Sequence, residues 1–206
     1  SATPTVSGLQ GTDTVTGLAE TYDTKNAGSG KTLSVSAYTV NDGNSGNNYT
    51  VTTVTNTTGV INQYAITVTA QADSKTYDAL NTSSVLPLIT SGVLQGTDTA
   101  VLSQTFDNKN YGTGKTLTPL AAITDGNSGS NYAVTYVNNT TGVINKASLT
   151  ITAITNTKTY DGGITASATP TVSGLKGTDT VTGLAETYDT KNAGSGKTLS
   201  VSAYTV

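Results

Sequence analysis

Residues 1–40 and 167–206 are the same sequence, apart from Gln10 against Lys176. A chain that repeats itself folds as units that each close a small core, because any packing solution open to one copy is open to the other. Shorter echoes divide the interval in two. Lys75-Thr76-Tyr77-Asp78-Ala79-Leu80 has its twin at Lys158-Thr159-Tyr160-Asp161-Gly162-Gly163. Thr-Thr-Gly-Val-Ile-Asn recurs at 57–62 and 140–145. The period is therefore about 83 residues, with full identity only at every second period. Three modules result: 1–62, which lacks an opening strand; 63–145, which is complete; and 146–206, which stops before its closing strands. In isolation the first and third expose unpaired edges. Neighbouring modules of an array, or head-to-tail copies in a fibre, would supply the missing pairs.

Between these anchors the apolar residues alternate. Ile66, Val68 and Ala70 are interleaved with Thr67 and Thr69, and Leu149, Ile151 and Ala153 with Thr150 and Thr152. Leu33, Val35 and Ala37 share a face opposite Thr32, Ser34 and Ser36, the two-residue period of a half-buried strand. Thr3–Leu9 reads as a short strand. Thr14–Tyr22 follows it, and within that stretch Thr14–Glu20 is the best place for a helical turn. Tyr49, Val51 and Thr53 alternate until Val54 breaks the phase, which predicts a bulge. Pro87 and Pro119 mark edge or irregular strands, since proline cannot donate to a ladder. Asp23–Gly30, Asp42–Asn48 and Asp125–Asn131 are loops rich in turn residues. The expected fold is all-β: tandem small β-sandwich (Ig-like) modules in an elongated rod, with little or no helix and with Thr faces outside. A β-grasp-like module remains open as to strand order.

Composition narrows the chemistry. Net charge is −3, charged residues are 11%, and all ten basic residues are Lys. Weak self-repulsion and grouped apolar residues argue against disorder. Without a basic patch, nucleic acid is not an expected partner. No apolar run approaches the roughly 18–20 residues that span a bilayer, and no signal peptide is visible, so any export address would lie outside these residues. The absence of Cys and His removes thiolate chemistry and the usual neutral-pH base. A Cys-free modular chain fits a bacterial surface better than an animal extracellular one. With two Glu and near-identical copies of every candidate group, no enzyme is expected.

The candidate sites are weighed on the same grounds. Tyr77-Asp78 and Tyr160-Asp161 read as structural corners, in which the ring is buried and Asp leads a turn. Tyr22-Asp23, Phe106-Asp107 and Tyr188-Asp189 read likewise, and Phe106 shows that a hydroxyl is dispensable there. The loops at Asp42 and Asp125 faintly resemble calcium loops, but each offers one carboxylate where calcium takes six to eight oxygens. They are the only metal candidates, and no other cofactor is expected. Lys31, Lys115 and Lys197 begin equivalent strands and are candidates for an isopeptide staple. The sequons at Asn56 and Asn139 are explained by chance in a chain this rich in Asn and Thr.

Lys158-Thr159-Tyr160-Asp161-Gly162 resembles the YDG repeats of large bacterial exported proteins, including filamentous-haemagglutinin-like adhesins, and is similar to the related MBG-type repeats. The likeness runs through Ser173-Gly174-Leu175, Gly177-Thr178-Asp179 and Tyr188 to Gly194. It continues in Gly43-Asn44, Asn48-Tyr49 and Thr58–Ile61. One departure is Asp78-Ala79-Leu80, where the family has Asp-Gly, which puts the turn there in question. The resemblance implies an extracellular or cell-surface stalk and carries no catalytic residues. The alternative expectation is a binding module that contacts a glycan or matrix protein through avidity.

Overall fold

A computed structural model describes residues 3–206; the first two residues of the first repeat lie outside the described residues. Fourteen strands and no helix are present among them. The chain divides into two compact units. One contains residues up to Val68, Ile89–Val101 and Ala121–Thr135; the other contains Thr69–Leu88, Leu102–Leu120 and Tyr136–Val206.

In the first unit, β1 (Thr14–Tyr22), β2 (Gly28–Asn41) and β3 (Asn56–Ile61) form a three-stranded antiparallel sheet in the order β1-β2-β3. The helical turn expected at Thr14–Glu20 is absent, because these residues are strand. The reason is Gly17, which takes φ +64° and shifts the register between Thr16 and Ala19. That bulge resets the two-residue phase, so Val15, Leu18 and Ala19 fall at helix-like spacing while lying in a sheet. Thr3–Leu9, expected as a strand, is not one, and neither is the stretch 49–55, with Val54 81% exposed.

The second repeat explains both differences. There β4 (Tyr64–Thr69) lies between β6 (Leu88–Ser91) and β9 (Tyr132–Val137). The latter two correspond to Thr3–Leu9 and 49–55 in the first repeat. Strands need partners, and among the described residues the first repeat has no counterpart of β4. Ile66 and Val68 on β4 are fully buried, as their alternation predicts. β6 starts directly after Pro87 and is an edge strand, as proline requires.

In the second unit, β5 (Ser74–Thr76) runs parallel to β10 (Asn139–Asn145). The sheet continues through β8 (Gly112–Thr124) to β7 (Thr99–Phe106), in the order β5-β10-β8-β7. Pro119 sits in β8 beyond the last β10 pair, Leu117 with Asn139, so its missing N–H breaks no bond to β10. Ala70, Phe106, Leu117 and Ile144 form the core, with Tyr77 packed against it. The third repeat adds two two-stranded sheets: β11 (Thr150–Thr152) with β12 (Thr171–Ser173), and β13 (Thr182–Tyr188) with β14 (Leu199–Thr205).

Burial follows the alternation only in part. The tyrosines expected inside divide: Tyr132 is buried, whereas Tyr38, Tyr64, Tyr111, Tyr160 and Tyr204 are exposed.

Candidate site: a lysine clamp on an aromatic ring

The repeated motif closes on its own lysine. Lys75 Nζ donates to Asp78 Oδ1 at 2.8 Å, to the Leu80 carbonyl at 2.8 Å and to the Thr82 carbonyl at 2.9 Å. Three acceptors match the three donors of an ammonium. Lys158 repeats the arrangement on Asp161 Oδ1, Gly163 O and Thr165 O, at 2.9, 3.0 and 2.9 Å. In each copy the Asp also caps the turn, accepting from Leu80 N–H or Gly163 N–H. The hydrogen bond from Lys75 lowers the pKa of Asp78 below the ordinary carboxylate value, and Lys158 does the same to Asp161. The turn in question at Ala79 survives the loss of glycine: Ala79 takes φ +70°, close to the +78° of Gly162.

The same ammonium lies over an aromatic face. Lys75 Nζ is 5.5 Å from the ring centroid of Phe106, and Lys158 Nζ is 5.5 Å from that of Tyr188. On Phe106 a third motif enters. A Cβ built on Gly142 would lie 3.0 Å from Phe106 Cε1 and 2.9 Å from the Lys115 carbonyl oxygen. Gly59 is equally tight against Tyr22 and Lys31. Lys-Thr-Tyr-Asp, Tyr/Phe-Asp and Thr-Thr-Gly are thus parts of one object, in which an aromatic ring is held between a neutralised ammonium and a side-chain-free strand. Spacing along the sequence does not reveal this meeting. The signal was the recurrence of all three motifs in the same order.

The partner aspartates Asp23, Asp107 and Asp189 cap the following loop, each accepting from the next residue's N–H. Lys31 and Lys197 donate to threonine hydroxyls, of Thr24 and Thr190, so their ammonium groups do not face the Asn or Asp that an isopeptide needs. Lys115 meets the Asn108 carboxamide oxygen at 2.7 Å, in an exposed setting.

The calcium candidates are anchors for backbone amides. Asp42 accepts from the N–H groups of Asn44, Gly46 and Asn48, and Asp125 from those of Asn127, Gly129 and Asn131. The Gly46 bond leads in lowering the pKa of Asp42. Burial pushes Asp125 up, but its three amide bonds outweigh it and the net shift is downward. Both carboxylates point at donors. No cluster of three metal-ligating side chains is found among the described residues.

The motif tyrosine does not complete the clamp. Tyr77 reaches Asp179 of the third repeat, donating to its Oδ2 at 2.8 Å, and this bond leads in raising the tyrosine pKa. Tyr160 is 61% exposed. In the first unit, Asp98 holds the equivalent position in Gly-Thr-Asp-Thr. It accepts from Tyr132 at 2.7 Å and sits 3.5 Å from Lys25 of the first repeat. Ala27 N–H of the first repeat also donates to Asn131 Oδ1 of the second at 2.8 Å. In the second and third repeats, one aspartate, Asp98 or Asp179, therefore takes a contact from the preceding repeat, a role that no motif spacing had pointed to.

No curated protein and no solved structure matches the chain significantly. The YDG domain matches it three times, over residues 1–58, 62–141 and 145–206. The chain belongs to the YDG domain family, of which it carries a tandem array.

Proposed function

We propose that these repeats are a structural segment of an extracellular bacterial adhesin stalk or surface fibre. They space or assemble, and they catalyse nothing. One observation carries the reading: the aromatic residue of the motif, Tyr77, which the lysine clamp does not use, is committed to the next repeat through Asp179. The motif thus builds its own turn and binds its neighbour, as a stalk requires, with no converging polar groups left for a substrate. In this reading each repeat is a small sandwich, the repeats follow one another in an elongated rod, and the protein works at the bacterial cell surface. Electron microscopy of tandems of increasing length tests it. The long dimension should grow by a constant step per added repeat, and a globular particle whose diameter grows only slowly overturns the reading.

A second reading has support from the exposed rings of Tyr38 and Tyr204, which occupy the same position in the first and third repeats. Repeated exposed tyrosines suit a module that contacts a glycan or matrix protein by avidity. Binding on a glycan array that is lost with Tyr38→Ala and Tyr204→Ala would favour it over spacing alone.

A further inference from the structure

Five Asn-x-Ser/Thr sequons occur in the chain, at Asn48, Asn56, Asn81, Asn138 and Asn139. Chance accounts for their number, but the structure separates them. The carboxamide oxygen of Asn139 accepts from the Thr141 N–H at 2.8 Å and from the Thr141 hydroxyl at 2.7 Å. Asn56 repeats both bonds with Thr58, each at 2.7 Å. The other three sequons lack this closure among the described residues. The Ser83 hydroxyl, which would serve Asn81, is spent on Asp73 Oδ2. The amide nitrogens of Asn81 and Asn48 donate to the carbonyls of Phe106 and Asp42, both at 3.4 Å. At Asn56 and Asn139 no hydrogen bond among the described residues engages Nδ2.

The backbone places these two sites alike. Each Asn is the first residue of its strand, β3 or β10, and the pairing register slips between it and the glycine three residues on. The two threonines that follow each Asn are exposed. A resting amide nitrogen is a poor nucleophile, because its lone pair is shared with the carbonyl. Two donors fixed on Oδ1 stabilise negative charge there, and so favour the form in which Nδ2 has shed a proton and holds a free pair. We propose that Asn56 and Asn139 are N-glycosylation sites, filled by a transferase whose donor is a sugar activated as a diphosphate ester at its anomeric carbon. Nδ2 forms a bond to that carbon. The bond from the carbon to the phosphate oxygen breaks, and its electron pair leaves with the diphosphate. Nδ2 gives its proton to a base of the transferase.

The test begins with the protein purified from the cells that make it, using peptide mass spectrometry to locate attached sugar. Asn56 and Asn139 should carry sugar, whereas Asn48, Asn81 and Asn138 should be bare. Thr141→Val should lower transfer to Asn139 roughly tenfold, the effect of one hydrogen bond lost from the reacting amide. It should leave Asn56 unchanged, and Thr141→Ser, which keeps the hydroxyl, should retain transfer. Bare asparagines at 56 and 139, or equal occupancy of all five sequons, overturns the proposal. The donor is identified with the 206-residue protein made in a cell-free system. One arm supplies soluble extract of the same cells with labelled nucleotide sugars, and the other supplies their membrane fraction with its lipid-linked sugars. Transfer in the first arm assigns a nucleotide diphosphate as the leaving group, and transfer in the second a lipid diphosphate. Transfer in neither overturns the sites.

Discussion

Lys75→Met removes the ammonium from the clamp while keeping most of the apolar stem. The lysine side chain is only 14% exposed, so its bonds are largely shielded from water. Its two carbonyl bonds, at 2.8 and 2.9 Å, are cation-to-backbone contacts worth about 1.5 kcal/mol each at the low end of the range. Asp78 is 45% exposed, so the ion pair adds no more than about 0.2–1 kcal/mol. The Phe106 face contributes about 0.5–1 kcal/mol. Relief of the ammonium's desolvation and the packing of the methionine thioether oppose these gains by roughly 1–2 kcal/mol. The expected net loss is about 2–3 kcal/mol, which for a repeat of this size lowers its melting temperature by roughly 10–20 °C. With no Trp in the chain, tyrosine fluorescence follows unfolding, and hydrogen exchange over 74–82 localises the loss. Lys75→Arg should also destabilise, because a planar fork does not place one nitrogen among three converging acceptors. A Lys75→Met variant within about 0.5 kcal/mol of the parent would falsify the clamp as a source of stability and reduce it to a surface ion pair.

Other perturbations follow from the same geometry. Gly142→Val drives a side chain into the Lys115 carbonyl and the Phe106 ring and should cost at least about 1–3 kcal/mol, read as a lower urea midpoint for the second repeat. Glu186→Gln should stabilise the third repeat by about 1–3 kcal/mol in thermal unfolding. Glu186 is fully buried with Oε1 unpartnered, whereas its counterpart Gln104 donates from Nε2 to the Gln71 carbonyl. Asp42, Asp78 and Asp161 all have lowered pKa values, so their stabilisation is present above the unfolded value of about 3.9 and is lost as pH falls through the lower folded values. Acid titration of the melting temperature should show that loss, and Lys75→Met should flatten its Asp78 part. Tyr77 is raised, so its contribution is full below about pH 10 and disappears as pH climbs through the folded value. Tyr77→Phe should abolish that alkaline loss without disturbing the clamp.

Much of the strand pattern is legible in the residues. Ile66, Val68 and Ala70 alternate and are buried, the proline at 87 places an edge, and the Asn/Gly loops fall where their turn chemistry puts them. Illegible parts have two physical causes. The first is partner dependence. Thr3–Leu9 has the composition of a strand, and its third-repeat copy Thr171–Ser173 forms one against β11, yet the first repeat shows none. Identical residues differ because backbone groups pair with whatever lies beside them, and local propensity is a small term against that. The second cause is sequence distance. Lys75 lies over Phe106, and Phe106 lies against Gly142 of β10, the strand that pairs in parallel with β5; no short window of the sequence contains all three.

The clamp itself is nearly self-contained. The lysine is saturated by three acceptors, its aspartate by the lysine and a turn amide, and the ring by ammonium and glycine. In the clamp, hydrogen bonding is complete within the repeat, and what remains outside it, the Tyr77 hydroxyl, is aimed at Asp179. The second repeat thus closes its own turn through Lys75 and Asp78 and carries its one remaining motif hydroxyl, that of Tyr77, to the repeat that follows.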